Sequence, residues 1–179
     1  MLYHQWVNYT GKKLFDNEHI DFKTVFTKKL CVKDKKLAEF NYKVLHNFLP
    51  CNYNLHKWGK KQDDKCYLCN EKEDIAHLLY KCKYAQTIWS KLNKKSHFYI
   101  SMQDVILGDR LDPSEIFILC SISYFIFKNW LKHSYENVPR NPAKATELLK
   151  VELTYLLKIY SILNCSELCR HLRMVIDLL

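Results

Sequence analysis

Apolar positions in this chain recur mainly at helical spacing. In residues 34–49, "DKKLAEFNYKVLHNFL", Leu37, Phe40, Val44, Leu45 and Phe48 fall at i, i+3, i+7, i+8 and i+11. One apolar stripe on a polar background predicts an amphipathic helix. Asp34 is placed to cap it and Pro50 to stop it, so the helix is expected from about Asp34 to Leu49. His46 sits beside the stripe as a packing residue. Upstream, "DFKTVFTKKL" predicts a short helix with Phe22, Val25, Phe26 and Leu30 on one face. Downstream, "CNYNLHKWGKK" predicts a short helix closed by Gly59. "EDIAHLLYKC" predicts another, and "KYAQTIWSKLN" a third with Tyr84, Ile88 and Trp89 facing inward.

The second half has the pattern of a helical bundle. "SMQDVILG" reads as a short helix capped by Ser101 and ended by Gly108. Asp112 followed by Pro113 is a helix start, and the segment to about Tyr135 is apolar nearly all round, which places it deep in a core. "VPRNP" breaks it. Two more helices are expected, over about Ala143–Leu163 and Cys165–Leu178, the first lined by Leu148, Val151, Leu156, Ile159 and Ile162. Residues 1–20 carry scattered aromatics (Tyr3, Trp6, Tyr9, Phe15) without a period and read as a lead-in. "KKSHFYISMQ" is a candidate linker, with His97 exposed.

With 48% hydrophobic residues, three Gly and four Pro, the composition excludes a disordered tail and favours a mostly helical fold. The strongly apolar run from Ile116 to Phe127 is too short to cross a bilayer, and "MLYHQWVNYTGKK" shows no signal or transit peptide. An intracellular protein, cytoplasmic or nuclear, is expected, with no membrane and no small-molecule substrate among its partners.

Within "CYLCNEKEDIAHLLYKC", Cys66, Cys69, His77 and Cys82 read C-x2-C-x7-H-x4-C. Three thiols and one imidazole in 17 positions form a ligand set for tetrahedral zinc. The tight Tyr67–Leu68 turn lets both sulfurs of the pair face one ion, and His77 and Cys82 face back from the following helix. The alternative is ordinary buried cysteines and a core histidine. Four protein ligands leave zinc no open position, so the expected role is structural and no catalytic residue is assigned. Three thiolates on Zn²⁺ carry a net −1, which nearby Lys65, Lys81 and Lys83 would offset. Cys165 and Cys169 share a helix face but lack further ligands; with Cys31, Cys51 and Cys120 they read as buried thiols.

Residues 1–100 hold 19 Lys against 10 acidic residues, whereas 101–179 hold nine of each sign. A one-sided excess is the footprint of nucleic-acid binding or, more plainly, a solvated surface. Six lysines fall between Lys23 and Lys36. Lys57, Lys60, Lys61, Lys65, Lys81 and Lys83 are candidate phosphate contacts, with Trp58 and Tyr67 as stacking platforms. Trp58 and Tyr53 covering the zinc site is the competing reading.

The stretch "KLAEFNYKVLHNFLPCNYNLHKWGKKQDDKCYLCNEKEDIAHLLYKCKYAQTIW" resembles the zinc-binding region at the C-terminal end of LINE-type (non-LTR) retrotransposon reverse transcriptases. Shared features are the helix Leu37–Pro50, the loop Asn52–Trp58, the four ligands and Trp89; "MQDVILGD" and "IFKNWL" also look like the tail of such polyproteins. The resemblance implies contacts with RNA or single-stranded nucleic acid in support of reverse transcription, and a reverse transcriptase domain of the parent polyprotein as a possible partner. The family's polymerase aspartates have no counterpart: the one Asp pair, Asp63–Asp64, precedes the zinc turn, and no endonuclease-like set is present. The chain is therefore expected to be a non-enzymatic C-terminal piece of a larger polyprotein. Its expected organisation is a lead-in over 1–33, a reverse-transcriptase-type zinc-binding domain over 34–95, and a helical bundle over 100–179. A purely structural module that docks on a polymerase domain is the rival reading.

Overall fold

Side chains placed just ahead of each apolar stretch set where the helices begin. The computed structural model describes residues 20–30, 32, 34–95 and 99–179. The expectations for the lead-in aromatics, for Cys31 and for His97 lie outside the described residues, as do the side chains of Phe22 and Leu30. Helix α1 spans Phe22–Leu30, with Asp21 accepting from the Lys23 amide at 3.1 Å. Helix α2 spans Lys35–Leu45, and Asp34 accepts from the Lys36 and Leu37 amides. It stops short of the expected Leu49. Asn47 takes a left-handed conformation (φ 55°), the Asn47 amide bonds Val44 O, and the Phe48 amide reaches Lys43 O at 2.8 Å. That closing motif satisfies the last carbonyls before Pro50 intervenes. Phe48, expected on the buried stripe, is 43% exposed as a result. His46 packs on Phe26 and Tyr42, with ring centroids 5.2 and 4.2 Å away.

Helix α3 spans Asn52–Lys57 and closes at Gly59, whose φ of +69° suits a residue without a Cβ. The expected helix in "EDIAHLLYKC" is instead a π turn over His77–Lys81. Helix α4 follows over Lys83–Lys95 and buries Tyr84, Ile88 and Trp89, as their spacing predicts. Helix α5 (Met102–Ile106) has a reciprocal Ser101–Asp104 cap, and α6 (Pro113–Glu136) a reciprocal Asp112–Glu115 cap. A short 3-10 turn, Pro142–Lys144, leads into α7 (Ala145–Ile162), and α8 covers Ser166–Leu178.

The core is built around α6, whose side chains from Ile116 to Phe127 and at Trp130 are mostly buried. Helices α1, α2, α5, α7 and α8 and the π turn pack against it, while α4 packs on α7, α8 and the 3-10 turn. One hydrophobic cluster runs from Val25 to Leu179, so helices before and after residue 100 share a core. Among the described residues there are no strands beyond an isolated bridge between Lys65 and Lys72, and the protein is mostly α-helical. Among them also, no helix is long and apolar enough to cross a membrane.

Two expectations shift on packing grounds. Helix α7 buries Ala145, Leu149 and Leu153, whereas Leu148, Val151 and Ile162 of the expected lining are 48, 71 and 81% exposed. The helix carries two apolar stripes, and periodicity alone does not choose between them. The lysine run of α1 is partly internal: Lys29 is 2% exposed and donates to Val105 O at 2.9 Å, and Lys28 donates to Asp109 O and Leu111 O. These bonds tie α1 to the α5–α6 connection. Leu153→Ala should lower unfolding free energy by about 2–5 kcal/mol through the cavity it leaves. Val151→Ala should stay within about 0.5 kcal/mol; urea titration of both variants checks which stripe is inside.

Candidate metal centre

The ligand set is assembled by two local devices. Cys66 and Cys69 sit on a tight turn closed by Asn70, whose left-handed backbone (φ 57°) lets its amide reach Cys66 O at 2.8 Å. The Cys66 amide bonds Glu71 O at 2.7 Å, and the Lys65–Lys72 bridge fastens the base of the loop. The π turn supplies the other two ligands. Its hydrogen bond runs from the Cys82 amide to His77 O at 2.7 Å, so residues five apart face one point. Asp74 Oδ1 accepts from the His77 amide at 2.8 Å and starts the turn.

The four donor atoms of Cys66, Cys69, His77 and Cys82 lie within 4.8 Å of one another. Cys82 Sγ is 3.8 Å from Cys66 Sγ and 4.0 Å from Cys69 Sγ. Sulfurs on a tetrahedral zinc at the usual bond length are about 3.8 Å apart, so the cluster has the size of the ion. His77 Nδ1 lies 3.4 Å from the exposed Glu71 carboxylate, while Nε2 is buried with no hydrogen-bond partner among the described residues. A buried imidazole whose donor atom lies within 4.8 Å of three sulfurs fits a metal ligand, with Glu71 beside its Nδ1. The donor set and its dimensions fit one structural zinc.

Around the ligands lies a shell that includes a cation from far along the chain. The Lys83 amide donates to Cys69 Sγ at 3.4 Å, and Arg140 Nη2 donates to Cys82 Sγ at 3.6 Å. In the metal-free protein a hydrogen bond shared with Cys82, together with burial, pushes the Cys66 thiol up to about 12. The same bond, received from Cys66, holds Cys82 below its usual value against burial, and Arg140 adds to this. Arg140 and its partner Glu73 escaped sequence reasoning: "VPRNP" reads only as a helix break, and Glu73 falls at the start of the expected helix "EDIAHLLYKC" without a role. Lys65, Lys81 and Lys83, expected to balance the thiolates, have exposed side chains. Cys51 and Cys120 are fully buried and Cys169 nearly so, whereas Cys165 is half-buried.

The candidate nucleic-acid residues divide by exposure. Lys57, Lys60, Lys65, Lys81 and Lys83 are exposed, with Trp58 and Tyr67 at 44 and 68%. Tyr67 packs against His133 at 4.4 Å between ring centroids. Lys61 is engaged internally: Nζ donates to Asn52 Oδ1 at 2.6 Å and lies 5.7 Å from the Trp130 ring centre. Tyr53 is half-buried beneath Lys72, whose Nζ is 3.7 Å from the ring centre. Asp63 and Asp64 lie in a loop, where Asp63 Oδ1 accepts from the Lys65 amide and Asp64 O from the Glu73 amide.

The family model described as zinc-binding in reverse transcriptase matches residues 4–89. That match, just under half of the chain, spans all four candidate ligands, and over this stretch the chain is similar to that family. No curated protein and no solved structure matches the chain. One zinc per chain is expected by elemental analysis, and Cys66→Ser should abolish stoichiometric retention through gel filtration. Chelation of the wild type should lower the melting temperature by roughly 10 °C. Ligand at a thousandfold over Kd contributes about 4 kcal/mol, and each kcal/mol shifts a domain of this size by about 2–4 °C.

Proposed function

We propose that this chain is a non-catalytic zinc-organised module that binds RNA or single-stranded nucleic acid in support of reverse transcription, as part of a LINE-type polyprotein. The observation that carries the reading is the exposure of Trp58 and Tyr67 and of Lys57, Lys60 and Lys65, with Tyr67 in the metal turn and Lys65 next to it in sequence. Aromatic faces accept any base, and lysines held beside them contact phosphates without reading sequence. The family match over 4–89 supports the link to reverse transcription. A zinc with four protein ligands has no open position for water or substrate, which favours a supporting role over catalysis. Such a role belongs in the cytoplasm or the nucleus.

A second reading has its own observation. Leu148, Val151, Tyr155 and Ile162 form an exposed apolar stripe on α7, the kind of surface that docks on a protein partner such as a polymerase domain.

Fluorescence anisotropy with single-stranded RNA across a salt series tests the first reading. If the five exposed lysines all contact phosphate, log K should fall with log salt at a slope of about −3.5. Lys57→Glu with Lys60→Glu should flatten that slope and weaken binding at least tenfold, leaving the circular dichroism unchanged. Trp58→Ala should cost about 1–3 kcal/mol if a base stacks there. Absence of binding at low salt would discard the nucleic-acid role and leave the docking surface of α7 as the working function.

A further inference from the structure

The family match ends at residue 89, yet the side chain against the last zinc ligand comes from residue 140. Arg140 lies between α6 and the 3-10 turn, and its side chain is 1% exposed. One arm of the guanidinium donates to Cys82 Sγ at 3.6 Å, and the other lies 3.9 Å from Glu73 Oε2. The group also lies over the Tyr84 ring at 4.9 Å. Glu73, equally buried, is held by the Trp130 indole N–H at 2.6 Å and the Asn52 amide at 3.3 Å.

Burying a guanidinium costs several kcal/mol unless anions surround it. Glu73 Oε2 sits at the outer limit of an ion pair, and the carboxylate's other oxygen serves two further donors, so Glu73 answers for only part of that cost. The remaining partner is the thiolate. Three thiolates on Zn²⁺ carry net −1, and that charge lies in the interior beside Cys82, which is fully buried. Exposed lysines are screened by water and contribute little to a buried anion.

We propose that Arg140 is an outer residue of the zinc centre, balancing the zinc–thiolate charge through Cys82 and so making metal binding and the docking of residues 137–145 one event. The inference rests on the four ligands holding zinc. The metal-binding module thereby extends past the family segment, and its site is completed by the C-terminal half of the chain. A cationic N–H donor also withdraws electron density from the sulfur, which slows attack by the bound thiolate on electrophiles.

The test uses the full chain. Zinc affinity is measured by competition with a chromophoric chelator, and thiolate reactivity by the rate of reaction with a disulfide reagent. Arg140→Met should weaken zinc about 10- to 100-fold, the range for outer-shell partners, and should speed thiolate release. Arg140→Lys should fall between the two, since it keeps the charge but loses the fork. Hydrogen exchange of the wild type with and without zinc needs no variant to fold: zinc should protect the end of α6 and residues 137–145 as well as the ligand loops. Equal zinc affinity and reactivity in wild type and Arg140→Met, or protection confined to the ligand loops, would overturn the proposal. A wild type that takes up no zinc would overturn the metal centre itself, a different result.

Discussion

Seventeen residues must bring three sulfurs and one imidazole nitrogen within 4.8 Å, and much of the surrounding fold follows from that constraint. Two cysteines three apart need a left-handed residue after them, which Asn70 supplies. His77 and Cys82 are five apart, a spacing that an α-helix turns away from a common point and a π turn does not. The π turn in turn sets the start of α4. The indole N–H of Trp89 reaches back to Leu79 O at 2.8 Å, tying that helix to the turn that precedes it. Weak backbone geometry is thus held by a strong set of ligands on one side and a buried aromatic on the other.

Charge is distributed by the same logic. The basic excess of the first half looks like one solvated surface when counted along the chain, but in three dimensions it separates. Lys28, Lys29 and Lys61 donate to internal acceptors and act as cross-links. Lys57, Lys60, Lys65, Lys81 and Lys83 remain exposed to solvent. The interior anions, Glu73 and the thiolate cluster, are met by Arg140 and Trp130 from the second half. Buried ionic groups seldom add net stability; here they join the segment that the family model matches to residues beyond it.

Much of the metal centre was legible because its determinants are local. Ligand identity, the closed coordination set and the first turn all lie within 17 residues, where covalent reach restricts the alternatives. Helix starts were equally legible at Asp34, Ser101 and Asp112, since a cap and the amides it satisfies are two or three residues apart. Helix ends were less so. Pro50 is an obvious stop, yet the Asn47 turn acts first, because asparagine tolerates the left-handed region that other residues avoid.

By itself the sequence determined the helical class, the four candidate metal ligands and the presence of aromatic and basic groups along the same stretch, all properties set by neighbours along the chain. Tertiary structure decided which stripe of α7 is buried, which lysines are already occupied, that Nε2 of His77 is the unpartnered nitrogen, and that Arg140 faces Cys82. Those outcomes depend on contacts between residues tens of positions apart. Burial and long-range charge pairing are energies of the assembled core, and no periodicity or spacing in a linear chain encodes which partner will arrive.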